Sequence, residues 1–262
     1  MATSSHSTRP PRISAARSVR ADKVLVARGL FASRAQAQAA IRAGRVRANG
    51  RVVLKASEPL PDACEIEAEA AHPWVGRGGL KLDHALEVSG LDVSGAVALD
   101  VGSSTGGFTD VLLSRGAGKV FAVDVGRDQL AERLRADPRV VVMEGVDARE
   151  LTVEQVGQPD VVVCDASFIS LRAVLPVPLE LARGGAVLVA LVKPQFEVGR
   201  AGVSRGGVVR DAGLRSRAVS DAAAFLEAEG WTVEGFCESP VTGGAGRRDG
   251  NRESLIWARK TG

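Results

Sequence analysis

Short apolar runs recur along residues 77–262, and helical patterns separate them. The runs predict seven strands: Ala96–Val101, Val120–Asp124, Val140–Glu144, Asp160–Asp165, Ala186–Val192, Thr232–Cys237 and Leu255–Ala258. The segments between them predict five helices: Lys81–Ser89, Gly107–Arg115, Gln129–Ala136, Leu171–Ala182 and Leu214–Glu229. Runs that are apolar at nearly every position are typical of strands buried on both faces. We therefore predict an α/β fold with a mainly parallel seven-stranded sheet between two layers of helices.

The N-terminal part has a different pattern. Two short helical segments, DKVLVARGLF and SRAQAQAAIRAG, come first, and Ser33 and Gly44 are suited to begin and end the second one. Two strand-like stretches then flank Asn49-Gly50, a dipeptide typical of tight hairpins. The pattern predicts a small α+β domain over residues 20–68, a linker over 69–76 and a large domain over 77–262.

Residues 1–19 precede the small domain and are rich in Ser, Pro and Arg, with few apolar residues. Such a composition cannot bury a core, so we predict a disordered basic tail. An Arg- and Ser-rich start without acidic residues also resembles an organelle transit peptide, although no amphipathic helix accompanies it.

Charge is distributed unevenly along the chain. The net charge is only +3, but residues 1–55 contain twelve Lys or Arg and one acidic residue, Asp22, which leaves the remainder mildly acidic. Arginines on the second helix and on the hairpin would form one basic face. This arrangement favours a polyanionic partner for the small domain, and a solvated basic surface without a partner is the alternative.

Cysteines and histidines indicate neither a disulfide framework nor a metal site, because three of each are spread widely along the chain. The longest apolar runs span about seven residues, far short of the roughly 20 that a membrane-spanning helix needs. We expect a cytoplasmic protein in a reducing compartment, a monomer or weak dimer, with no bound metal and no membrane contact.

Residues 20–68 resemble the RNA-binding domain of ribosomal protein S4. The matching stretches are RADKVL, SRAQAQAAIRAGRVRANGRVV and LKASEPL. The resemblance implies binding of structured RNA, mainly through phosphate contacts that carry little sequence information. We assign this contact to six arginines of the small domain: Arg20, Arg34, Arg42, Arg45, Arg47 and Arg51.

The first predicted strand of the large domain runs into a glycine-rich turn, LDVGSSTGGFTD. Ligands in such sheets bind beyond the carboxyl ends of the strands. The turn has neither the G-x-G-x-x-G spacing of a dinucleotide site nor the residues of a phosphate-binding P-loop. Asp124 ends the second strand and is suited to accept hydrogen bonds from both ribose hydroxyls of an adenosine, while Asp147 could accept from the adenine amino group. An acidic site favours S-adenosylmethionine, a sulfonium without phosphates, over a dinucleotide; a turn chosen only for close packing is the alternative.

Four charged residues should meet at the same edge of the sheet. Asp165 and Lys193 end two strands that we expect to be neighbours, Lys81 lies in the first helix, and Glu253 precedes the last strand. Each has an ordinary explanation by itself, such as a surface lysine or a helix N-cap aspartate. Together, beside the glycine-rich turn, they indicate a catalytic site.

Six motifs of the large domain resemble the TlyA family of ribosomal RNA 2′-O-methyltransferases, historically called haemolysins, which share the FtsJ/RrmJ-type catalytic fold. They are RGGLKL, DVGSSTGGFTD, VDVGRDQL, DASFISL, LVKPQFEVG and GNRE. The resemblance implies a Rossmann-like domain that uses S-adenosylmethionine to methylate a cytidine 2′-hydroxyl in the ribosomal RNA of a ribosomal subunit. It places the family's catalytic tetrad on Lys81, Asp165, Lys193 and Glu253. Its cofactor positions fall on Asp100, Gly102, Ser103, Ser104, Thr105, Gly106, Gly107, Phe108, Asp124, Val125, Asp147 and Asp165.

The residue types of the tetrad suit this reaction, because a ribose 2′-hydroxyl is weakly acidic and needs help to attack a methyl group. Lys193 could act as a base if Lys81 and desolvation favour its neutral form. Alternatively, it could stay charged and stabilise the developing alkoxide. Asp165 and Glu253 would orient the lysines and the hydroxyl.

A glycine-rich loop, Gly199–Asp211, follows Lys193 and contains Arg200, Arg205 and Arg210. We expect it to contact RNA and to close over a flipped-out target nucleotide. The chain ends soon after the last predicted strand, which by the resemblance favours the large ribosomal subunit, with the small subunit as the other possibility. A non-catalytic RNA-binding or ribosome assembly factor is one alternative function, and a membrane-active haemolysin is another.

Overall fold

The computed structural model describes residues 18–31, 33–61, 63–243 and 250–262. The chain divides into two compact units between Pro73 and Trp74, inside the stretch that the sequence assigns to a linker. Residues 1–17 of the predicted tail lie outside the described residues. Ser18 and Val19, which the sequence pattern assigns to that tail, instead form part of a strand, because their backbone pairs with residues 60 and 61.

The first unit is a small α+β domain. Its elements are β1 (Ser18–Arg20), α1 (Ala21–Ala27), α2 (Arg34–Arg42), β2 (Val46–Ala48), β3 (Arg51–Val52), β4 (Pro59–Pro61) and β5 (Ile66–Ala68). β1 pairs with β4, and β2 lies between β3 and β5, all antiparallel. The two predicted helices and the hairpin at Asn49-Gly50 are confirmed, and the Ser33 side chain caps α2 by accepting a hydrogen bond from Gln36 N. The sequence pattern missed β1, β4 and β5, which are only three residues long.

The second unit is built on a seven-stranded sheet. Its strands are β6 (Val97–Val101), β7 (Lys119–Asp124), β8 (Val140–Glu144), β9 (Val161–Cys164), β10 (Val187–Val192), β11 (Trp231–Glu238) and β12 (Ser254–Lys260). Its helices are α3 (Gly78–Ser89), α4 (Gly107–Ser114), α5 (Glu132–Arg135), α6 (Val153–Val156), α7 (Leu171–Val174), α8 (Pro176–Leu181), α9 (Pro194–Glu197) and α10 (Ala212–Ala228). The strand order is β11-β12-β10-β9-β6-β7-β8, with β12 antiparallel to both neighbours and parallel pairing from β10 through β8. The predicted mainly parallel sheet is confirmed.

Burial on both faces explains why the strands are apolar at nearly every position. On β9, Val162 and Cys164 pack into the core on one side of the sheet, while Val161 and Val163 pack into the core on the other. Successive side chains of a strand point to opposite faces, so a strand covered on both sides has no solvent-facing position.

Two predicted helices differ from the sequence pattern. The segment Leu171–Ala182 is split into α7 and α8 at Pro176, because proline has no N–H group to continue a helix but is suited to begin one. The segment Gln129–Ala136 is helical only over α5, because the backbone of Ala131, with ψ 138°, is extended rather than helical. None of the helices in the described part of the chain is long and apolar enough to cross a membrane.

The order of the strands places a crevice beside β6. This strand lies between β7 and β9, and the chain connections continue from it toward opposite edges of the sheet. Loops that leave the carboxyl ends of two such strands separate and open a ligand-binding crevice. The loops after β6 and β9 contain the predicted cofactor turn and Asp165.

Candidate active site

The predicted tetrad assembles at the carboxyl edge of the sheet. Asp165 and Lys193 directly follow the parallel neighbours β9 and β10. Lys193 Nζ lies 2.7 Å from Asp165 Oδ1, and the lysine side chain is only 7% exposed. Lys81 Nζ, on α3, lies 2.7 Å from Glu253 Oε2 and 4.0 Å from Asp165 Oδ2. The two lysines and two carboxylates therefore form one connected cluster, with Asp165 between the lysines.

Glu253 reaches this edge because β12 runs antiparallel to β10. The first residue of β12, Ser254, pairs with the last residue of β10, Val192. Glu253 precedes Ser254 and therefore lies beside Lys193, with its side chain 2% exposed. A parallel β12 would have placed it at the opposite edge of the sheet.

Lys193 has three acceptors around its amino group. Besides the ion pair with Asp165 Oδ1, Nζ donates to Ser167 Oγ at 2.7 Å and to the backbone oxygen of Asp165 at 3.1 Å. A lysine ammonium has three N–H donors and no acceptor. Two hydrogen bonds and one ion pair therefore hold the Lys193 amino group in place.

Close packing explains two glycines of the turn between β6 and α4. Gly102 has φ +81°, and a β-carbon there would lie 2.8 Å from the Cα of Ala166. A β-carbon on Gly107 would lie 2.9 Å from the backbone nitrogen of Gly79. The turn thus packs closely against the loop that contains Asp165 and against the helix that contains Lys81. The same close packing brings these two tetrad residues beside the turn.

Asp100 and Ser103 place buried polar atoms beside this turn. Asp100 is fully buried, and Thr109 Oγ1 donates to its Oδ2 at 2.6 Å. Burial raises the pKa of Asp100 to about 7 despite the hydrogen bond from Thr109, and the charges of nearby carboxylates add to the increase. Within the described residues, Asp100 Oδ1 and Ser103 Oγ have no hydrogen-bond partner. Buried polar atoms without partners are rare, which makes these two candidates for binding a ligand.

Asp124 and Asp147 follow the neighbouring strands. Asp124 Oδ2 accepts a hydrogen bond from Ser104 N at 2.8 Å, and its Oδ1 accepts one from Gly126 N at 2.7 Å. Asp147 pairs with Arg149 at 2.6 Å, and the hydrogen bonds from this arginine hold the pKa of Asp147 below its usual range. Both carboxylates are partly exposed. Each Asp124 oxygen keeps a second lone pair for a ligand, whereas each Asp147 oxygen already accepts two hydrogen bonds from Arg149.

Two cavities meet at the tetrad. The first has a volume of about 470 Å³ and is lined by residues that include Asp124, Val125, Gln129 and Asp147. The second has a volume of about 570 Å³ and is lined by the whole tetrad together with Ser103, Thr105, Gly107 and Phe108. The two walls share Gly102, Ser104, Asp165, Ser167 and Phe168. Asp100 and Gly106 are not among the lining residues, since Asp100 is buried behind the turn and Gly106 packs against Leu134.

Phe168 is a site residue that the sequence analysis missed, together with its neighbours Ser167, Gln195 and Phe196 in the second cavity. The Phe168 side chain is 91% exposed, its φ is +67°, and its ring centroid lies 5.5 Å from that of Phe196. A bulky residue with positive φ is uncommon, and an exposed aromatic side chain at a cavity mouth indicates a binding surface. The sequence contained one indication that Phe168 belongs to the site: in the motif DASF, this aromatic residue comes three positions after a strand-end aspartate.

Two of the predicted RNA-binding arginines pair with a buried carboxylate of the small domain. Arg20 and Arg34 pair with the fully buried Asp22 at 3.0 and 2.8 Å, and Gln38 donates to the same carboxylate at 2.8 Å. The hydrogen bond from Arg20, supported by those from Arg34 and Gln38, holds the pKa of Asp22 well below its usual range. These arginines therefore stabilise the domain, while their side chains stay 43% and 51% exposed.

The other predicted RNA-binding arginines are exposed. Arg42 lies in the last turn of α2, and Arg47 donates to the backbone oxygen of Gly50 at 3.1 Å. Arg45 and Arg51 each pair with a glutamate of the same unit at 2.7 Å. The loop between α9 and α10 contains the exposed residues Arg200, Arg205 and Arg210.

Both units match known protein families. A family model for FtsJ-like methyltransferases matches residues 74–260, and one for the S4 domain matches residues 19–62. The chain is 47% identical over 247 residues to the 16S/23S rRNA (cytidine-2′-O)-methyltransferase TlyA of Mycobacterium tuberculosis, covering 93% of this chain and 91% of that protein. It is 36% identical to the 23S rRNA (cytidine-2′-O)-methyltransferase TlyA of Campylobacter jejuni over 70% of each chain.

A solved structure is similar as well. The structure of a hemolysin candidate from Streptococcus thermophilus is 39% identical and superposes with a TM-score of 0.73, covering 94% of this chain and 90% of that one. The likeness to the relatives extends over both units. The chain joins an S4 domain to an FtsJ-like methyltransferase domain and belongs to the TlyA family.

Proposed function

We propose that this protein transfers the methyl group of S-adenosylmethionine to the 2′-hydroxyl of a cytidine in ribosomal RNA, with the large subunit as the favoured substrate. The observation that carries the proposal is the charged cluster of Lys81, Asp165, Lys193 and Glu253 beside the wall that two cavities share. Such an arrangement suits a reaction between two ligands. The relatives from M. tuberculosis and C. jejuni are named for 16S/23S and for 23S rRNA, so large-subunit RNA is common to both names.

The residues around the first cavity suit S-adenosylmethionine. When bound, this cofactor supplies a methyl group activated by a positively charged sulfur. Asp124 would accept hydrogen bonds from the ribose hydroxyls, and Asp147 from the adenine amino group. The unpaired Asp100 Oδ1 and Ser103 Oγ lie beside the turn that would hold the amino-acid part. These carboxylates would repel the phosphates of a dinucleotide, which disfavours the other cofactor class.

Lys193 would stabilise the negative charge that develops on the 2′-oxygen as this oxygen bonds to the methyl carbon and its proton passes to solvent water. Its three acceptors match an ammonium, so we assign it an electrostatic role rather than that of a base. Asp165 and Ser167 fix the position of the ammonium group. The Lys81–Glu253 pair fixes the other side of Asp165, and this rigidity favours alignment of the attacking oxygen.

The exposed arginines of the small domain would bind RNA through phosphates. Phe168 offers an exposed ring at the mouth of the second cavity, where a flipped-out base could stack. We further propose that the protein acts in the cytoplasm, as a monomer or weak dimer. A non-catalytic assembly factor would need the basic domain but not a buried cluster of two lysines and two carboxylates.

Incubation with methyl-labelled S-adenosylmethionine and separated ribosomal subunits tests the proposal. We expect label on one cytidine ribose of large-subunit RNA, and none with the Lys193→Ala variant. A protein lacking residues 1–70, a deletion inside the first unit, should bind S-adenosylmethionine normally but methylate whole subunits poorly. Label on a base, on protein, or on nothing despite cofactor binding would refute the proposed reaction. Full activity of the truncated protein would refute the role of the small domain.

A further inference from the structure

A buried asparagine joins the arginine-containing loop to the segment that precedes β12. Asn251 is 7% exposed. Its Oδ1 accepts a hydrogen bond from Val209 N at 2.8 Å, and its Nδ2 donates to Gly207 O at 2.8 Å. The side-chain amide thus uses its acceptor and one donor to bind the loop backbone as a neighbouring strand would. An aspartate has no donor for the Gly207 carbonyl, and an apolar residue would bind neither group.

The backbone of the same residue is connected to the catalytic glutamate. Asn251 O accepts a hydrogen bond from Gly243 N at 2.8 Å. Gly243 lies against the Glu253 carboxylate so closely that a β-carbon there would overlap Oε1. Glu253 is two residues beyond Asn251 and pairs with Lys81 through its other oxygen. Asn251 is therefore in contact with both the loop and the residues that surround the Glu253 carboxylate.

We propose that Asn251 is a positioning residue that holds the loop Gly199–Asp211 in a fixed place relative to Glu253 before RNA binds. The inference rests on the proposed function, since it assumes that the arginines of this loop contact RNA. It modifies the expectation of a loop that closes over the nucleotide. Arg205 and Arg210 would be presented by a loop that is already anchored, so phosphate contacts there would place the RNA backbone at a set distance from the tetrad.

A second anchor of the loop provides a matched control. The Arg215 guanidinium, on α10, donates to Val209 O at 3.3 Å and to Arg210 O at 2.6 Å. Arg215→Ala would loosen the same loop without removing a bond of the Glu253 segment. Asn251→Ala would loosen the loop and also the segment. Asn251→Asp keeps the bond from Val209 N but places a carboxylate oxygen against the Gly207 carbonyl oxygen.

Hydrogen exchange measured by mass spectrometry on the full-length protein tests the anchor without depending on activity. In Asn251→Ala we expect amide exchange about tenfold faster or more, both in residues 204–210 and in residues 251–255, because two buried hydrogen bonds are lost. In Arg215→Ala the increase should be confined to residues 204–210. Asn251→Asp should raise exchange in the same two segments, and it replaces Asn251→Ala if that variant does not fold.

Kinetics on ribosomal subunits then tests the link to catalysis. Asn251→Ala should lower kcat about tenfold or more while the dissociation constant for S-adenosylmethionine stays within about twofold, since the cofactor residues are untouched. Arg215→Ala should mainly raise KM for the subunit. Unchanged exchange in either segment of Asn251→Ala, or faster exchange with an unchanged kcat, would overturn the inference. A wild-type protein that binds S-adenosylmethionine but methylates no RNA would refute the proposed function and the predicted effect of Asn251 on kcat. The exchange experiment would still show whether Asn251 holds the loop in place.

Discussion

Replacing Asp100 by asparagine should stabilise the fold at neutral pH while weakening cofactor binding. Asp100 is fully buried, and its folded-state pKa is about 7. In the unfolded chain an aspartate has a pKa of about 3.9. The folded state therefore holds the proton more tightly, so the stability contributed by protonated Asp100 is complete below about pH 4 and is lost as the pH rises to about 7.

The size of the effect follows from the difference of about three pKa units between the two states. At about 1.4 kcal/mol per unit, Asp100 costs the fold about 4 kcal/mol at pH 8, where it is ionised, and about 1.5 kcal/mol at pH 5, where folding must protonate it. Asparagine does not titrate and can still accept the hydrogen bond from Thr109. Its new amide N–H₂ at the unpaired position would cost about 1–3 kcal/mol, but this cost does not depend on pH. The difference in stability between variant and wild type should therefore grow by about 2–3 kcal/mol from pH 5 to pH 8.

Urea unfolding followed by tryptophan fluorescence measures this difference in stability for the second structural unit, which contains Asp100. The chain has three tryptophans, Trp74, Trp231 and Trp257, and all lie in the second unit. The Asp100→Asn midpoint should move relative to that of the wild type by about 1 M urea between pH 5 and pH 8. Comparing the two proteins removes the contribution of every other titrating group. Midpoint curves that stay parallel across this pH range would refute the reasoning, because they would show that Asp100 does not gain a proton on folding.

Further predictions concern the catalytic, cofactor and RNA sites. Lys193→Ala should lower kcat about a thousandfold with normal cofactor and RNA binding. Lys193→Arg should retain part of the activity if the role of Lys193 is electrostatic, because arginine keeps the charge but cannot act as a base. Single-turnover assays of the two variants distinguish the electrostatic role from that of a base. Asp124→Ala should weaken S-adenosylmethionine binding about 10- to 100-fold through lost hydrogen bonds to a charged group, as measured by calorimetry, and an unchanged affinity would remove Asp124 from the site. Replacing Arg42, Arg45 and Arg47 by glutamine should reduce the slope of log K against log salt by about 2–3 in RNA-binding titrations, whereas an unchanged slope would show that this face does not contact phosphates.

The sequence pattern predicted the large elements better than the small ones. β9 and β10 were predictable because every residue in them is buried, and a run of consecutive apolar residues records that burial directly. The short strand Ser18–Arg20 has no comparable pattern, since two of its three residues are exposed. Its pairing with Pro59–Pro61 depends on a turn of the chain that a local pattern does not record.

The sequence by itself determined the class of fold and the glycine-rich turn, because apolar runs and residue types are local properties. The catalytic role of the four tetrad residues stays a prediction. Only the tertiary structure decided which groups meet. Lys81 and Glu253 are 172 residues apart in the chain, and their 2.7 Å contact exists because β12 runs antiparallel to β10. The pairing of Arg34 with Asp22, the hydrogen bond from Lys193 to Ser167 and the two-sided bonding of Asn251 likewise join residues that are not neighbours in the chain. Such contacts depend on how the layers pack, and packing is a property of the whole chain rather than of any stretch of it.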